Sequence, residues 1–310
     1  MEKQFKSKLP DAGTTIFSTI SAMAVQHKAV NLGQGFPDYP MDPELANLVH
    51  EASKEGYNQY APMEGVLALR EALAEKVQFL YSVTIDPLNE ITITPGATYA
   101  IFNALATIIF PGDEIIVFEP VFDSYIPGIK VLGGIPVPVP MTKPSYGYNW
   151  DEVMRKITPK TKAIIINSPH NPTGTTLNNN DIETLTNIVK KHNLFLISDE
   201  VYEHLVYDGE VHNSILKFPE LFKHSFVCFS FGKLYHCTGW KVGYCIAPAR
   251  LMLEYKKVHQ YNAFSTNTPA QYGLANFLTK KDKYLSLSGF FQEKRDYFLK
   301  LLSETRFKPN

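Results

Sequence analysis

Between residues 91 and 247 the sequence alternates short apolar runs with stretches of helical spacing, and no other feature restricts the fold as much. The runs lie at 91–94, 114–118, 135–139, 163–166, 194–198, 226–230 and 242–247. They are rich in Ile, Val and Phe, which predicts strands buried on both faces rather than half-solvated ones. Helical periodicity follows at 97–109, 182–191, 251–260, 270–278 and 289–304, and precedes them at 44–54 and 66–81. Such alternation builds an α/β domain, a mostly parallel seven-stranded sheet with helices on both faces.

In sheets of this kind ligands bind outside the carboxyl ends of the strands. Polar and small residues concentrate at those ends here: Gly96-Ala97-Thr98, Glu119 to Phe122, Asn167 to Pro172, Asp199 to Tyr202, and Ser230 with Lys233. Packing alone does not account for that coincidence. The bulk chemistry excludes other classes. A net charge of -1 gives no electrostatic case for nucleic acid or an acidic membrane. The three cysteines, Cys228, Cys237 and Cys245, have no CxxC spacing, so neither a disulfide framework nor a metal site is expected. The first six residues are charged rather than an apolar leader, and no apolar run approaches the roughly 20 residues that span a bilayer. The expectation is a soluble cytoplasmic protein.

Each strand end has a chemical reading beside a plain one. Pro95-Gly96-Ala97-Thr98 joins a strand to a helix, where free N–H groups and the helix dipole favour an anion, although glycine turns with a threonine are common. Phe122 can stack on a flat ring or simply be core. Asn167 and Asn171 flank a proline-rich turn; their amides can donate to an anionic oxygen or cap the turn. Asp199 ends an apolar strand, so it needs a partner, either a protonated ring nitrogen or a helix N-terminus. Tyr202 follows three residues later. Lys233 lies just past a buried strand, where an amine can lose hydration and become nucleophilic. Ser-x-x-Lys alone reads as a solvated loop.

An amine nucleophile, an anion cradle, a stacking ring, a carboxylate and two donors to a phenolate-like oxygen together match one cofactor, pyridoxal 5′-phosphate. With the segments Asn31 to Asp38, Asn58 to Pro62, Ser168 to Gly174, Ser198 to Glu203 and Ser230 to Gly243, the chain resembles the class I/II pyridoxal-phosphate-dependent aminotransferases. Within that family it is similar to the methionine aminotransferase and kynurenine aminotransferase (cysteine-conjugate β-lyase) branch.

The resemblance implies an aspartate-aminotransferase-like fold and a role for each position. Lys233 would be the covalent anchor and proton carrier. Asp199 would pair with the pyridine nitrogen, Tyr202 and Asn171 with the ring's 3′ oxygen, and Asn167 would support Asp199. Ser230, Lys241 and the Gly96-Ala97-Thr98 turn would hold the phosphate, with Phe122 stacked on the ring. Tyr60 would reach the phosphate of a neighbouring subunit, which implies a homodimer with shared sites. Gly35, Asn171 and Phe17 would face the substrate. The implied activity is ping-pong transamination between an amino acid and a 2-oxo acid, with methionine and aromatic or large apolar side chains favoured. A β-lyase acting on sulfur-substituted amino acids and a cofactor-binding remnant without activity are the alternatives.

The resemblance also implies a division into an N-terminal segment over 1–45, a large cofactor-binding domain over 46–285, and the start of a small domain at 286–310. The family's small domain continues further and carries an arginine for the substrate carboxylate. Nothing here matches that arginine, Arg306 included, so a truncated small domain is the expectation.

Overall fold

The computed structural model describes residues 6–33, 35 and 39–307. The strands are β1 (Ile91–Thr94), β2 (Glu114–Glu119), β3 (Ile135–Pro140), β4 (Thr161–Asn167), β5 (Phe195–Asp199), β6 (Ser225–Ser230) and β7 (Gly243–Ile246). Three helices precede them: α1 (Ile16–Gln26), α2 (Pro43–Lys54) and α3 (Leu67–Tyr81). Between strands lie α4 (Ala97–Ile108), α5 (Tyr125–Val131), α6 (Trp150–Lys156), α7 (Asn179–His192), α8 (Pro219–Phe222) and α9 (Phe231–Leu234). After β7 come α10 (Ala249–Asn262), α11 (Thr268–Leu278), α12 (Asp282–Leu285) and α13 (Leu287–Leu302).

One seven-stranded sheet runs in the order β1-β7-β6-β5-β4-β2-β3. β7 is antiparallel to both its neighbours, β1 and β6, while the other pairs are parallel. Six strands therefore point one way, and the amino end of β7 meets their carboxyl ends. The mostly parallel α/β sheet expected from the sequence is what forms, as is its content of seven strands.

Successive strand residues face opposite layers, so each apolar strand feeds two cores. Ile93, Ile116, Ile164, Leu196 and Phe229 pack on one face with residues of α3, α7 and α11, such as Leu73, Leu185 and Leu274. Ile115, Ile165, Ile197, Phe226 and Cys245 pack on the other with Leu105 of α4, Ile129 of α5 and Tyr255 of α10. Each such side chain contributes roughly 1.5–3 kcal/mol on burial, so the sheet is a rigid base for what projects from its edge.

Local chemistry sets the helix boundaries. The Thr15 side chain caps α1, and Asp42 followed by Pro43 starts α2. Asn178 and Asp181 form a reciprocal capping box at α7. Besides the single turns α8, α9 and α12, the helices α5 and α6 lie where the sequence periodicity indicates none. Each has seven residues, too few to display a period, and Pro127 and Gly128 in α5 argue against helix locally. Pro127 is tolerated because it falls in the first turn. Among the described residues, no helix is long and apolar enough to cross a membrane.

Candidate active site

The carboxyl edge of the sheet opens into a cavity of about 680 Å³, within the size range of small-molecule sites. Ala97, Thr98, Ser230 and Lys241 line it, as do Phe122, Asn167, Asn171, Asp199, Tyr202 and Lys233. Phe17 and Gly35 line it as well, together with Leu32 and Gly33, which sequence reasoning missed. Residues far apart in the chain meet here through the strand order. Asn167 and Asp199 are direct neighbours across β4 and β5, and Gly243 faces Thr94 on one side and Ser230 on the other.

Beside Lys241, α4 starts at Ala97 after Gly96, and no side chain caps its first N–H groups. Gly96 has φ +84°, which favours glycine, and a Cβ there would stand 3.3 Å from Lys241 Nζ. Gly243 is more constrained. A Cβ would lie 2.6 Å from the Phe229 carbonyl oxygen and 2.7 Å from the Ala97 nitrogen. Only glycine lets β7 and the start of α4 come this close. Lys241 follows the short 3-10 turn Thr238–Trp240 in a left-handed conformation, φ 54°. The result is free backbone donors, a helix N-terminus and one ammonium in one place, a phosphate cradle in chemical terms.

Asp199, which also lines the cavity, is buried at the last residue of β5. Its Oδ2 accepts from the Tyr125 phenol at 2.5 Å and its Oδ1 from the Val201 N–H at 3.3 Å. Burial pushes the carboxyl up to about 6, against those two hydrogen bonds and against the Lys233 charge. Asn167 donates from Nδ2 to the Asp199 carbonyl oxygen at 2.9 Å, and its Oδ1 accepts the Asn171 N–H at 2.6 Å. One asparagine thus joins the carboxylate's strand to the loop bearing Asn171. Burial, then the Asp199 charge, pushes the Tyr202 phenol up to about 12, so it stays a donor.

Lys233 sits in the single turn α9, its Nζ 5.8 Å from the Tyr202 ring centroid. Burial lowers its ammonium pKa, the nearby Lys241 charge lowers it further, and Asp199 opposes both. A lysine made less basic in this way is available as a nucleophile and base.

Tyr60 does not line the cavity. It is 82% exposed, with its ring edge-on to Phe264 at 5.4 Å. The hydrogen bond of Tyr125 to Asp199 is a contact the sequence did not disclose. Tyr125 is buried at the start of the unforeseen α5, and nothing local marks it as a partner of Asp199, 74 residues away. Of the segment Asn31 to Asp38, residues 34 and 36–38 lie outside the described residues.

Comparison with known proteins agrees with this geometry. The family model "Aminotransferase class I and II" matches residues 27–309. A methionine aminotransferase of Escherichia coli K12 is 44% identical over 304 residues, 98% of this chain and 79% of the relative. A kynurenine–oxoglutarate transaminase of Dictyostelium discoideum is 33% identical over 318 residues, 96% of this chain and 73% of the relative. Among solved structures, an Escherichia coli protein with a methionine aminotransferase function superposes with TM-score 0.94 at 43% identity, covering 98% of this chain and 80% of that one. An N-succinyldiaminopimelate aminotransferase from Mycobacterium tuberculosis gives TM-score 0.93 at 36% identity, with 97% and 79% covered. The fold, the lysine-bearing cavity and these relatives lead to one conclusion: the chain belongs to the class I and II aminotransferases, enzymes that carry out transamination with pyridoxal phosphate.

Proposed function

We propose that this cavity holds pyridoxal 5′-phosphate and transaminates amino acids with apolar side chains, methionine and aromatic ones foremost. The observation that carries the reading is the convergence of Lys233, the buried Asp199 carboxylate and the Gly96–Gly243 cradle in one cavity. The residues fit the cofactor. The cradle lacks the Cβ atoms that would fill it, Lys241 supplies a cation, and neutral donors leave Asp199 room for a cationic partner.

Pyridoxal phosphate, when bound, supplies an electron sink that permits the Cα–H bond of an amino acid to break. The protein's part is orientation and proton handling. Ser230, Lys241 and the N–H groups of Ala97 and Thr98 would hold the phosphate, and Phe122 would cover a ring face. Asp199 would keep a proton on the ring nitrogen, while Tyr202 and Asn171 donate to the 3′ oxygen. Lys233 would hold the cofactor covalently between turnovers. Its lowered basicity suits it to take the Cα proton and return it to the carbon on the far side of the amino nitrogen.

Phe17, Leu32 and Ile101 give the cavity apolar lining beside its polar groups, which suits an apolar side chain. The methionine and kynurenine names of the relatives point the same way. Tyr60 belongs to the reading as a donor to the phosphate of a second subunit. Its 82% exposure, with its ring against the 44% exposed Phe264, suits a surface covered in a homodimer. Three free thiols are compatible with the cytoplasm.

The test uses purified protein loaded with pyridoxal phosphate. Borohydride reduction followed by peptide mass analysis should place the label on Lys233. Methionine with a 2-oxo acid acceptor should yield the methionine-derived 2-oxo acid. Label on another lysine, or oxo-acid formation from glutamate and aspartate but not methionine, would sink the assignment.

A further inference from the structure

We propose that Tyr125 is a positioning residue for the reaction, its phenol fixing the Asp199 carboxylate so that a free lone pair faces the cavity at the cofactor's ring nitrogen. The proposal rests on the reading above, in which Asp199 partners that nitrogen.

The carboxyl torsion of an aspartate is soft, and a buried carboxylate with no partner on its second oxygen can rotate. Here Oδ2 is taken by Tyr125 at 2.5 Å and Oδ1 only by the long Val201 contact of 3.3 Å. A carboxylate has about four acceptor sites, so lone pairs stay free on both oxygens while their direction is set. Both residues are 4% exposed, so water does not compete for the bond. Tyr125 also meets Phe122 edge-to-face at 5.6 Å. One side chain thus links the group meant for the ring's edge to the group meant for its face.

Tyr125 acts on the charge of Asp199 as well. Burial favours the neutral acid, and the phenol's hydrogen bond opposes it. The other titratable groups facing Asp199 are Lys233 on α9, Glu200 and Tyr202 on its own turn, and Cys228 across β6. All of these are unchanged when Tyr125 is replaced. A carboxylate ionised before the cofactor arrives must take up a proton with the ring; a carboxyl already protonated need not.

Calorimetric titration of apoprotein with pyridoxal phosphate, in two buffers of different ionisation enthalpy, reads affinity and proton uptake together. Near pH 6.5, Tyr125→Phe should bind about 10-fold more weakly and take up about half a proton less than the wild type. A fluorotyrosine at position 125, a stronger donor of nearly the same shape, should move proton uptake the opposite way. An unchanged proton count in Tyr125→Phe overturns the proposal even if affinity falls, because weaker binding alone is a packing effect. If Tyr125→Phe does not fold, an unchanged count with fluorotyrosine overturns it instead. Asp199→Asn separates the two levels. If it binds with wild-type affinity and proton count, the Asp199 assignment itself fails. If it differs while the Tyr125 variants do not, only the positioning role fails.

Discussion

Lys76 and Glu203 form an ion pair beneath the sheet, with side chains only 2% and 6% exposed. Tyr81 donates to the other Glu203 oxygen at 2.5 Å, and Lys76 Nζ stands 3.4 Å from the Tyr244 hydroxyl. Asp199 and Tyr202 line the cavity, whereas Glu200 and Glu203, one residue further along, are held by groups behind it. The pair therefore ties α3 to the turn that carries two of the site's groups.

Breaking that pair from one side should be costly. Lys76→Met leaves the Glu203 charge buried without its cation and should destabilise the protein by about 3–5 kcal/mol in urea unfolding. Lys76→Met with Glu203→Gln removes both charges and should recover most of the loss. A double variant no more stable than the single one would show that the ion pair is not what matters.

Glu203 also predicts an acid limb. Burial would raise its carboxyl, but the Lys76 charge, His204 and the hydrogen bonds from Lys76 and Tyr81 outweigh this and lower it to about 2. A depressed carboxylate stabilises the fold above its unfolded value and loses that contribution as pH falls toward the folded one. Stability due to Glu203 should decline from about pH 4.5 to about pH 2. Glu203→Gln should flatten that part of the curve.

Asp199 behaves in the opposite sense. Its folded value, about 6, lies above the ordinary 3.8, so the folded apoprotein binds the extra proton and loses stability as pH rises through that window. Apoprotein Asp199→Asn should be more stable than wild type above that window by about 2–3 kcal/mol, and should bind pyridoxal phosphate poorly. Equal melting of the two apoproteins at neutral pH would contradict the shift.

Gly243→Ala tests the cradle. The added methyl would press on the Phe229 carbonyl oxygen, the Ala97 nitrogen and the Gly96 carbonyl carbon, all under 3 Å away. Backbone on both sides must move, at a cost of roughly 1–3 kcal/mol. Affinity for inorganic phosphate and for pyridoxal phosphate should fall together, whereas a loss confined to pyridoxal phosphate would place the anion elsewhere.

Lys233→Ala should eliminate the borohydride-trapped link and lower turnover by at least about 10²–10⁴-fold, the span expected for a positioned proton carrier. Retained cofactor without turnover would be consistent, because the phosphate and ring contacts remain. Retained turnover would not.

Much of this protein is written in local sequence. The apolar runs specify strands because both faces of a parallel sheet are covered, and β1 matches its predicted span of 91–94. Capping residues set the ends of α1, α2 and α7. The candidate residues were legible because several chemically matched groups recur together at successive strand ends, in segments that resemble the family's. Tertiary structure decided what no neighbour in sequence can encode. It placed β7 antiparallel between β1 and β6, bringing Gly243 against Ala97 and Lys241 beside Gly96. It also formed α5, too short to carry a period, and through it joined Tyr125 to Asp199. The physical reason is that burial and long-range hydrogen bonds tune the acidity and direction of Asp199 and Lys233. Those terms exist only once distant segments exclude water together.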